Sequence, residues 1–569
     1  MDGQADEVTI DVPERVARSI SLPEPADRTR FFLVAAGAAL MTIAVVLVVS
    51  LARNDGHLVF ALDDAGIHMS IARQLVEHGT WGVTDGVYVS ASSSPLWTFA
   101  LSGLMLISPV PDSVWPLALN IGAGLWIIWL FAANQTVIRP RGRAVGSWIA
   151  AILLPLFVLG IPAMTAIGME HLVHAALVVE ILVIVWKLED RRLDLRTIAL
   201  LVVIVFLAGA VRVETVFLAA GIVVGLGVRR IPRFATDAST ANWTTGGIAL
   251  VAVLIGAAAA LPLMIYGVVN RAFGAAFLPN SIAAKQAIGD RGLFRPLDDV
   301  FFELFSDAVL TALVVGVIAY VVFAGFGGPR RALVIAVAFL VATFIHGVYG
   351  EMRFYDRYQN YLLVGGAFVV LVILGEVVSL QWRGATATFL VFAMAATAAP
   401  MKIPLVVDAP LAMSNTYRQR YQVGRFFGEH YRGQTVATGE LGYVTYFHDG
   451  GIVDFLSLGS PQVTEVLREE YPLPAEYVER LVLAEDVAAI AVYPKTLALS
   501  LPDSWQLAGE WTLDERAVTA FDETIDFYAP TKELGRELAA KLDAFAPSLP
   551  SNVTYLDRET LIGRFLANG

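Results

Sequence analysis

The chain has 569 residues, of which 56% are hydrophobic and 16% are charged. This composition excludes an ordinary soluble protein, and long uncharged segments up to about residue 400 predict a polytopic α-helical membrane protein. The net charge of -12 comes without a basic patch interleaved with aromatic residues, which argues against a nucleic-acid partner. The absence of cysteine excludes disulfides, thiol catalysis and cysteine-bound metal.

The chain begins with a polar, proline-containing stretch, residues 1–31, which we expect to be a short disordered tail. An apolar segment follows at 32–52, and it is too long for a signal peptide and lacks a small-residue cleavage pattern. The tail carries several arginines, and such a bias places the flank of a span in the cytoplasm. The first loop, residues 53–114, is then expected outside.

The stretch 62–97 of this loop is the most informative part of the sequence. It opens with Asp63 and Asp64, and neighbouring carboxylates at a membrane exit repel each other and are costly to desolvate. A helical pattern follows and ends at Gly79, and Pro95 begins the next element. We interpret the stretch as an extracytoplasmic loop that lies on the membrane and carries a catalytic acid. The alternative is a solvated helix cap, because Asp is common in a first helical turn.

The remaining apolar segments decide the topology. The segment at 94–109 is short and ends at Pro109. If this segment lies at the interface without crossing, the basic loops near 139–143, 187–196, 229–233, 330–331 and 383 all become cytoplasmic. The sequence therefore predicts about eleven spans in a transmembrane domain at 32–400, with the C-terminus outside.

This topology places further ionisable residues on the same side as the two aspartates. Each group sits at the end of a span, where a single ionisable residue is usually an anchor at the membrane surface. Their gathering on one side favours a shared site. The groups are Glu170 and His171, Arg212 and Glu214, Asn280 and Lys285, and Arg353, Tyr355 and Arg357.

These residue types point to one kind of chemistry. An acid just outside the membrane can act as a general base toward a hydroxyl. Lys285, Arg353 and Arg357 can hold a phosphate and stabilise its charge as it leaves. A phosphate at the bilayer surface indicates a lipid phosphate. We therefore expect sugar transfer with inversion from a polyprenyl-phosphate donor to a hydroxyl, without a cofactor or a metal.

The first loop also carries a family resemblance. Its Asp63-Asp64, Ala72-Arg73-Gln74-Leu75, Gly79 and Ser92-Ser93-Ser94-Pro95-Leu96-Trp97 resemble the first outer loop of multi-spanning C-type glycosyltransferases. Within that class the loop is most similar to the arabinofuranosyltransferases that add terminal sugars to cell-wall arabinan and to their uncharacterised bacterial relatives. Further motifs with this resemblance are Gly168-Met169-Glu170, Pro279-Asn280-Ser281 through Lys285, and, more weakly, Gly442-Tyr443 with Asp454.

The resemblance covers residues 32–400 and implies a polyprenyl-phosphate sugar donor and a catalytic Asp in the first loop. His171 stands where the family has Thr or Ser, and Ser281 stands where it has Thr. These departures leave the sugar and the acceptor open, with arabinofuranose as the first candidate.

Several roles stay open at this point. Either Asp63 or Asp64 can be the base, because adjacent residues of a helix point about 100° apart. Glu170 has two possible roles: it contacts hydroxyls of the sugar or the acceptor, or it pairs with Arg212. We expect Arg212 and Glu214 to support the site. The other candidates for contacts with the sugar or the acceptor are His68, His171, Asn280 and Tyr355.

Both histidines have an alternative position, because His68 and His171 can also pack at the membrane interface. No cluster of His, Asp and Glu has the spacing of zinc ligands.

Residues 401–569 have the composition of a soluble domain. Strand-like runs at 435–438, 451–455 and 488–493 follow or alternate with helical stretches at 415–430 and 461–468. This pattern predicts an extracytoplasmic α/β domain. The turn at 437–443 lacks GxGxxG and a Walker lysine, so we expect it to face the mouth of the site and not to bind a nucleotide.

Three other functions compete with this interpretation. A transporter or flippase of a lipid-linked sugar would show two similar halves or helices broken at mid-membrane. A receptor or scaffold needs no acidic pair, and a metal-dependent oligosaccharyltransferase needs further acids outside. The sequence favours a monomeric glycosyltransferase of the cell membrane, whose partners are a lipid donor and a cell-envelope glycan or other hydroxyl acceptor.

Overall fold

The computed structural model describes the chain except for residues 1–23, 85, 141–144, 189–193, 236–243, 289–296, 353–354, 380, 494–499 and 562–569. The side chains of 285–288 and 297–298 also lie outside the description. Most of the predicted tail at 1–31 therefore lies outside the described residues, and its last part, 25–31, is the beginning of the helix Pro25–Arg53.

The N-terminal part is a bundle of apolar helices. Eight helices of the described chain are long and apolar enough to cross a membrane, and four shorter apolar helices accompany them. The long ones are Pro25–Arg53, Val114–Asn134, Val145–Ile167, His171–Leu188, Thr245–Ala272, Ala308–Gly325, Asn360–Val377 and Arg383–Val407. The shorter ones are Pro95–Ile107, Leu195–Val211, Thr215–Val228 and Leu333–Tyr349. The predicted count of eleven spans stays a prediction.

The outer surface of the bundle is apolar, as a lipid-facing surface must be. The helix Pro25–Arg53 exposes Met41 (68%) and Val48 (67%), whereas Ala35 and Ala39 on its other side are buried. In water such an exposed stripe would be unfavourable, but lipid tails solvate it at no cost. The predicted class, a helical membrane protein with a C-terminal α/β domain, is confirmed.

Small residues let the helices approach closely. A Cβ on Gly221 would lie 2.4 Å from the carbonyl oxygen of Ala338, so the helices Thr215–Val228 and Leu333–Tyr349 touch backbone to backbone. Such contact is typical of helix pairs in membranes, where packing and not the hydrophobic effect joins the helices.

The first loop forms two helices at one end of the bundle, which we call the loop end. The helix Asp64–His78 stops at Gly79, which has a φ of 65°, and packs against Pro95–Ile107. Both predicted boundaries are confirmed. The second helix has 13 residues and measures about 20 Å, which is short for the roughly 30 Å of a bilayer core.

The C-terminal domain contains one mixed sheet of six strands. In chain order these are β1 (Thr435–Thr438), β2 (Ile452–Asp454), β3 (Val487–Val492), β4 (Gln506–Leu513), β5 (Thr524–Ala529) and β6 (Val553–Asp557). Their spatial order is β2-β1-β3-β5-β4-β6; β1, β2 and β3 are parallel, and β4 to β6 join antiparallel. The predicted strands are β1, β2 and β3, and the other three were not predicted.

Helices cover both faces of this sheet. Gln422–His430 and Lys532–Phe545 pack on one face, and Pro461–Glu469 and Ala475–Ala484 pack on the other. The predicted helix at 415–430 is part of a longer helical run. This run consists of the α-helix Ala409–Thr416, a π-helical turn Tyr417–Tyr421 and the α-helix Gln422–His430. The remaining described helices are Asn280–Ile288, Leu297–Ser306 and Gly442–Phe447, with a short 3-10 turn at Ala546–Ser548.

The domain rests on the loop end of the bundle. The carbonyl oxygen of Ala61 accepts hydrogen bonds from the hydroxyls of Thr416 (3.2 Å) and Thr519 (2.6 Å). Glu515 forms ion pairs with Arg53 and Arg418, one from the first helix and one from the π-helical turn. These contacts place the sheet directly above the Asp63-Asp64 loop.

Candidate functional site

A cavity of about 260 Å³ lies between the loop end of the bundle and the α/β domain. We call its two sides the bundle wall and the domain wall. The bundle wall includes Asp63, Asp64, His68, Met169, Arg212, Arg357 and Tyr358. The domain wall includes Gly439, Glu440, Leu441, Asp454, Leu456, Leu458 and Phe521.

Asp63 joins the first loop to the domain. Its carboxylate accepts hydrogen bonds from the backbone N–H groups of Gly442 (2.6 Å) and Tyr443 (3.0 Å), and it is buried. A Cβ at position 442 would lie 2.0 Å from the carbonyl oxygen of Asp63, so only glycine permits this approach. Burial raises the pKa of Asp63, while Arg420 and the two backbone N–H groups act in the opposite direction.

Asp64 faces the cavity instead. Its side chain is 36% exposed, and its Oδ2 lies 3.0 Å from Nη1 of Arg357. The two aspartates thus diverge as neighbours in a helical start must, one toward the domain and one toward the cavity. Both aspartates line the cavity, but both carboxylate oxygens of Asp63 are bonded to the domain, so Asp64 is the more accessible carboxylate.

Arg357 is held in one position by the bundle wall. Its Nη2 donates a hydrogen bond of 2.6 Å to the hydroxyl of Tyr358, and its Nη1 lies 3.1 Å from Sδ of Met169. The guanidinium also lies 4.7 Å from the centre of the Tyr358 ring. A buried cation with so many contacts is a fixed positive charge on the wall of the cavity.

Glu170 pairs with Arg212 behind this wall. The Nη1 of Arg212 donates to Oε1 of Glu170 (2.6 Å), and its Nη2 donates to Oε1 of Glu214 (2.5 Å). Ser94 donates a further hydrogen bond to Glu170, at 2.7 Å. Of the two roles left open for Glu170, the pairing with Arg212 is observed, and contact with a sugar or acceptor stays a prediction. One arginine thus bridges two acids, and its other side reaches the cavity.

The two histidine candidates occupy different places. His68 lies on the bundle wall, with Nδ1 3.2 Å from the hydroxyl of Thr98 and Nε2 3.7 Å from Oε2 of Glu170. Burial lowers the pKa of His68, which favours the neutral ring. The Nε2 of His171 lies 3.2 Å from Nη1 of Arg212, behind the wall and outside the lining of the cavity.

The other predicted residues are less central. Asn280 donates hydrogen bonds to the backbone carbonyls of Ser90 (2.9 Å) and, through its side chain, Leu458 (3.0 Å), so it links the first loop to the domain. Its neighbour Ser281 lines the cavity. The hydroxyl of Tyr355 donates to the carbonyl of Leu405 (2.8 Å), and Tyr355 is not part of the lining.

Two of the predicted phosphate ligands cannot be placed. The side chain of Lys285 and the whole of Arg353 lie outside the described residues. Arg357 is therefore the member of that set whose position the structure describes.

The acids of the domain wall were not predicted as site residues. Glu440 accepts a hydrogen bond of 2.7 Å from Arg420, and burial raises its pKa to about 8 although Arg420 lowers it. Asp454 accepts from the backbone N–H groups of Leu456 and Gly459, both at 2.8 Å, and burial raises its pKa to about 6. The turn at 437–443 did indicate this region, as expected for the mouth of the site.

Phe521, which is 46% exposed, also lines the cavity. It belongs to no motif, so nothing in the sequence pointed to it. No group of three or more His, Asp or Glu within the described ranges is arranged to hold a metal ion.

Comparisons with known proteins give limited similarity. A family model described as a domain of unknown function (DUF8728) matches residues 412–528, and no curated protein matches the chain. The archaeal oligosaccharyltransferase AglB from Archaeoglobus fulgidus, solved with an inhibitory peptide and a dolichol-phosphate, has a TM-score of 0.48 and 12% identity, over 80% of this chain and 69% of AglB. ArnT from Cupriavidus metallidurans in the apo state has a TM-score of 0.47 and 13% identity, over 88% of this chain and 99% of ArnT. Similarity at this level assigns no activity and no site residue.

Proposed function

We propose that this protein transfers a sugar from a polyprenyl-phosphate donor to a hydroxyl acceptor, with Asp64 as the general base. The observation that carries the proposal is the pair of Asp64 and Arg357, 3.0 Å apart on the wall of one cavity at the end of a membrane bundle. The resemblance of the first loop to C-type glycosyltransferases supports the same reaction.

The chemistry needs a base at the acceptor hydroxyl and a cation at the donor phosphate, on opposite sides of the anomeric carbon. Asp64 therefore has to leave its ion pair with Arg357 when the sugar enters between them. Asp64 takes the proton of the acceptor hydroxyl as its oxygen attacks the anomeric carbon. The bond from that carbon to the phosphate oxygen breaks, and the polyprenyl phosphate leaves with the electron pair. One displacement inverts the anomeric centre.

Arg357 binds the phosphate of the donor and stabilises the charge that develops as it leaves. A guanidinium can bind phosphate through two parallel hydrogen bonds, which are stronger than bonds between neutral groups. Arg212 lines the same wall and supports it through its ion pairs with Glu170 and Glu214, which offset its charge. We keep Lys285 and Arg353 as further phosphate ligands.

The size of the cavity favours a small sugar. A volume of about 260 Å³ is below the roughly 300–1,000 Å³ of sites that enclose a drug-sized ligand. The cavity suits one monosaccharide and the hydroxyl that attacks it. The polyprenyl chain would then lie along the apolar bundle, and most of the acceptor would lie outside the cavity. Arabinofuranose is the first donor sugar to test, because the first loop resembles the arabinofuranosyltransferases.

We place the N-terminus in the cytoplasm and the α/β domain outside, so that the acceptor belongs to the cell envelope. The chain has no cysteine, so a single Ser551→Cys change on the exposed surface of the domain gives a unique label site. Reaction of that thiol with an impermeant reagent on intact cells or spheroplasts supports this orientation. Reaction only after lysis contradicts it.

The function is tested with purified full-length protein and synthetic polyprenyl phosphates carrying a pentose or a hexose. Native mass spectrometry measures binding of the lipid to the wild type and to Arg357→Gln. Release of free polyprenyl phosphate, measured with and without an arabinan acceptor, reports transfer. We expect the wild type to bind the lipid and release its phosphate, and Arg357→Gln to bind at least about tenfold less.

Arg73→Gln is the matched control. Arg73 is also an arginine at the loop end, paired with Asp112 at 2.6 Å, but it is not part of the cavity lining. Equal loss of lipid in both variants would contradict the donor site. The alternative function, a flippase, predicts a different result. The protein would then bind the lipid-linked sugar and move it across a vesicle membrane without releasing polyprenyl phosphate.

A further inference from the structure

A second cavity, of about 710 Å³, opens at the end of the bundle opposite Asp64. It lies where the helices Val145–Leu153 and Arg383–Val407 begin and just beyond the end of Val114–Asn134. Its polar lining consists of Thr136, Arg139, Ser147, Gln381, Arg383 and Thr388. None of the described lining residues is acidic, so the charge of this lining is positive.

Both arginines are oriented by the backbone beside them. The Nε of Arg139 donates to the carbonyl of Thr136 (2.8 Å), and the Nε of Arg383 donates to the carbonyl of Val378 (2.9 Å). A bond at Nε fixes the plane of a guanidinium and therefore the direction of its two Nη groups. Two such groups beside serine and threonine hydroxyls form a chemical match for a phosphate.

The rim of the cavity is aromatic and faces outward. Phe389 (70% exposed) and Phe392 (38% exposed) lie about one turn apart on the helix Arg383–Val407 and line the same cavity. Trp382, which directly precedes that helix, is 61% exposed. Tryptophan is enriched at the headgroup level of membranes, so the cavity lies where headgroup and acyl chain meet.

We propose that this cavity binds an anionic phospholipid, with the headgroup phosphate on Arg139 and Arg383 and an acyl chain along Phe389 and Phe392. Basic hollows between transmembrane helices are suited to such headgroups, because the cations lie at the depth of the phosphate. The exposed phenylalanines favour a lipid over a soluble anion. An acyl chain would cover their rings, whereas a soluble anion would make no contact with them. The site is separate from the transfer reaction and does not depend on it.

The test uses the full-length protein in mild detergent, titrated with phosphatidylglycerol or phosphatidylcholine and observed by native mass spectrometry and by Tm. We expect the wild type to retain phosphatidylglycerol in preference to phosphatidylcholine. The double variant Arg139→Gln/Arg383→Gln should bind phosphatidylglycerol roughly 30-fold more weakly, because each cation adds a similar share of attraction to an anionic lipid.

Arg230→Gln is the matched control, since Arg230 is an exposed arginine at the same end of the bundle and is not part of this lining. It should retain the lipid as the wild type does. Phe389→Ala tests the acyl contact without changing the charge, and it should lower the affinity for phosphatidylglycerol but not raise that for phosphatidylcholine. The Tm of each lipid-free variant shows that it is folded before binding is compared.

Equal retention of phosphatidylglycerol by the wild type and the folded double variant would overturn the proposal. So would an equal loss in Arg230→Gln, which would reflect general surface charge. Displacement of the lipid by glycerol phosphate at a matched concentration would also overturn it, because the site would then recognise a soluble anion.

Discussion

The two walls of the Asp64 cavity differ in where their cations lie. The bundle wall carries both lining arginines, Arg212 and Arg357, together with Asp63 and Asp64. The domain wall carries the acids Glu440 and Asp454, and the rest of its lining is leucine, glycine and Phe521. Arg420 approaches from the domain side and donates a hydrogen bond to Glu440.

This difference divides the proposed substrates between the walls. An anionic lipid donor is attracted to the bundle wall, where the cations are and where the membrane supplies the apolar surface. A neutral acceptor rich in hydroxyls fits the domain wall, because acids accept hydrogen bonds from hydroxyls. We therefore expect changes on the two walls to affect different substrates.

The largest effect is expected from the paired aspartates. Asp64→Asn removes the proposed base and should lower kcat by about 10²–10⁴-fold, the range of general base catalysis. Binding of the donor should persist, since Arg357 stays in place. Measurement of polyprenyl phosphate release under saturating donor tests this.

Asp63→Asn is the matched control for that experiment. An amide at this position can accept only one of the two bonds from Gly442 and Tyr443, so the contact between bundle and domain weakens. We expect faster proteolysis between the bundle and the domain and a smaller loss of kcat than in Asp64→Asn. A fully active Asp64→Asn beside an inactive but firmly docked Asp63→Asn would assign the base to Asp63.

A second, smaller effect is expected from a change at Arg357. Arg357→Lys keeps the positive charge but loses the planar fork that holds phosphate with two bonds. The KM for the donor should rise about tenfold while the KM for the acceptor changes little. An effect on the acceptor alone would reverse the assignment of the two walls.

The domain wall should make stability depend on pH. The pKa of Glu440 is raised to about 8 by burial, so the native state holds a proton that the unfolded chain releases near pH 4. The free energy of unfolding therefore falls as the pH rises from that range through about 8. Between pH 6 and pH 8.5 the Tm of the wild type should drop by a few degrees.

Glu440→Gln removes this group and should flatten that dependence, although Asp63 and Asp454, whose pKa values burial also raises, retain part of it. A thermal scan of both proteins across the pH range makes the comparison. An unchanged slope in the variant would show that Glu440 is ionised in the folded protein.

The smallest effect is expected at Phe521. Its half-exposed ring offers an apolar face to a sugar, and truncation removes the area that the sugar would cover. Phe521→Ala should raise the KM for the acceptor by about threefold and leave the donor unaffected. Phe392→Ala, at the opposite end of the bundle, serves as the control and should change neither KM.

In the C-terminal domain, the sequence predicted β1, β2 and β3 but not the other three strands, and the burial of the strands explains the difference. β3 is buried along its whole length and reads as a continuous apolar run, Val487–Val492, as central strands of a sheet do. β4 and β5 mix buried residues with partly exposed ones and include the acids Glu510 and Asp526. Such antiparallel strands resemble ordinary surface sequence until their partners are known.

The candidate site shows the same limit. The Asp63-Asp64 pair stands out in the sequence because two adjacent acids at a membrane exit are costly, and Arg357 stands out as a cation before a span. Glu440 does not, because acids are common in a soluble domain, and Asp454 entered only through a weak resemblance. Their raised pKa values arise from burial in the folded protein, which no local pattern records.

By itself the sequence determined the membrane class, the helical first loop with its boundary at Gly79, and the α/β character of the C-terminal domain, since these depend on local hydrophobicity and periodicity. Only the tertiary structure decided that Asp63 bonds to the domain while Asp64 faces the cavity, and that Glu170 bonds to Arg212. Such choices depend on contacts between residues far apart in the chain, and on burial, which no local pattern records.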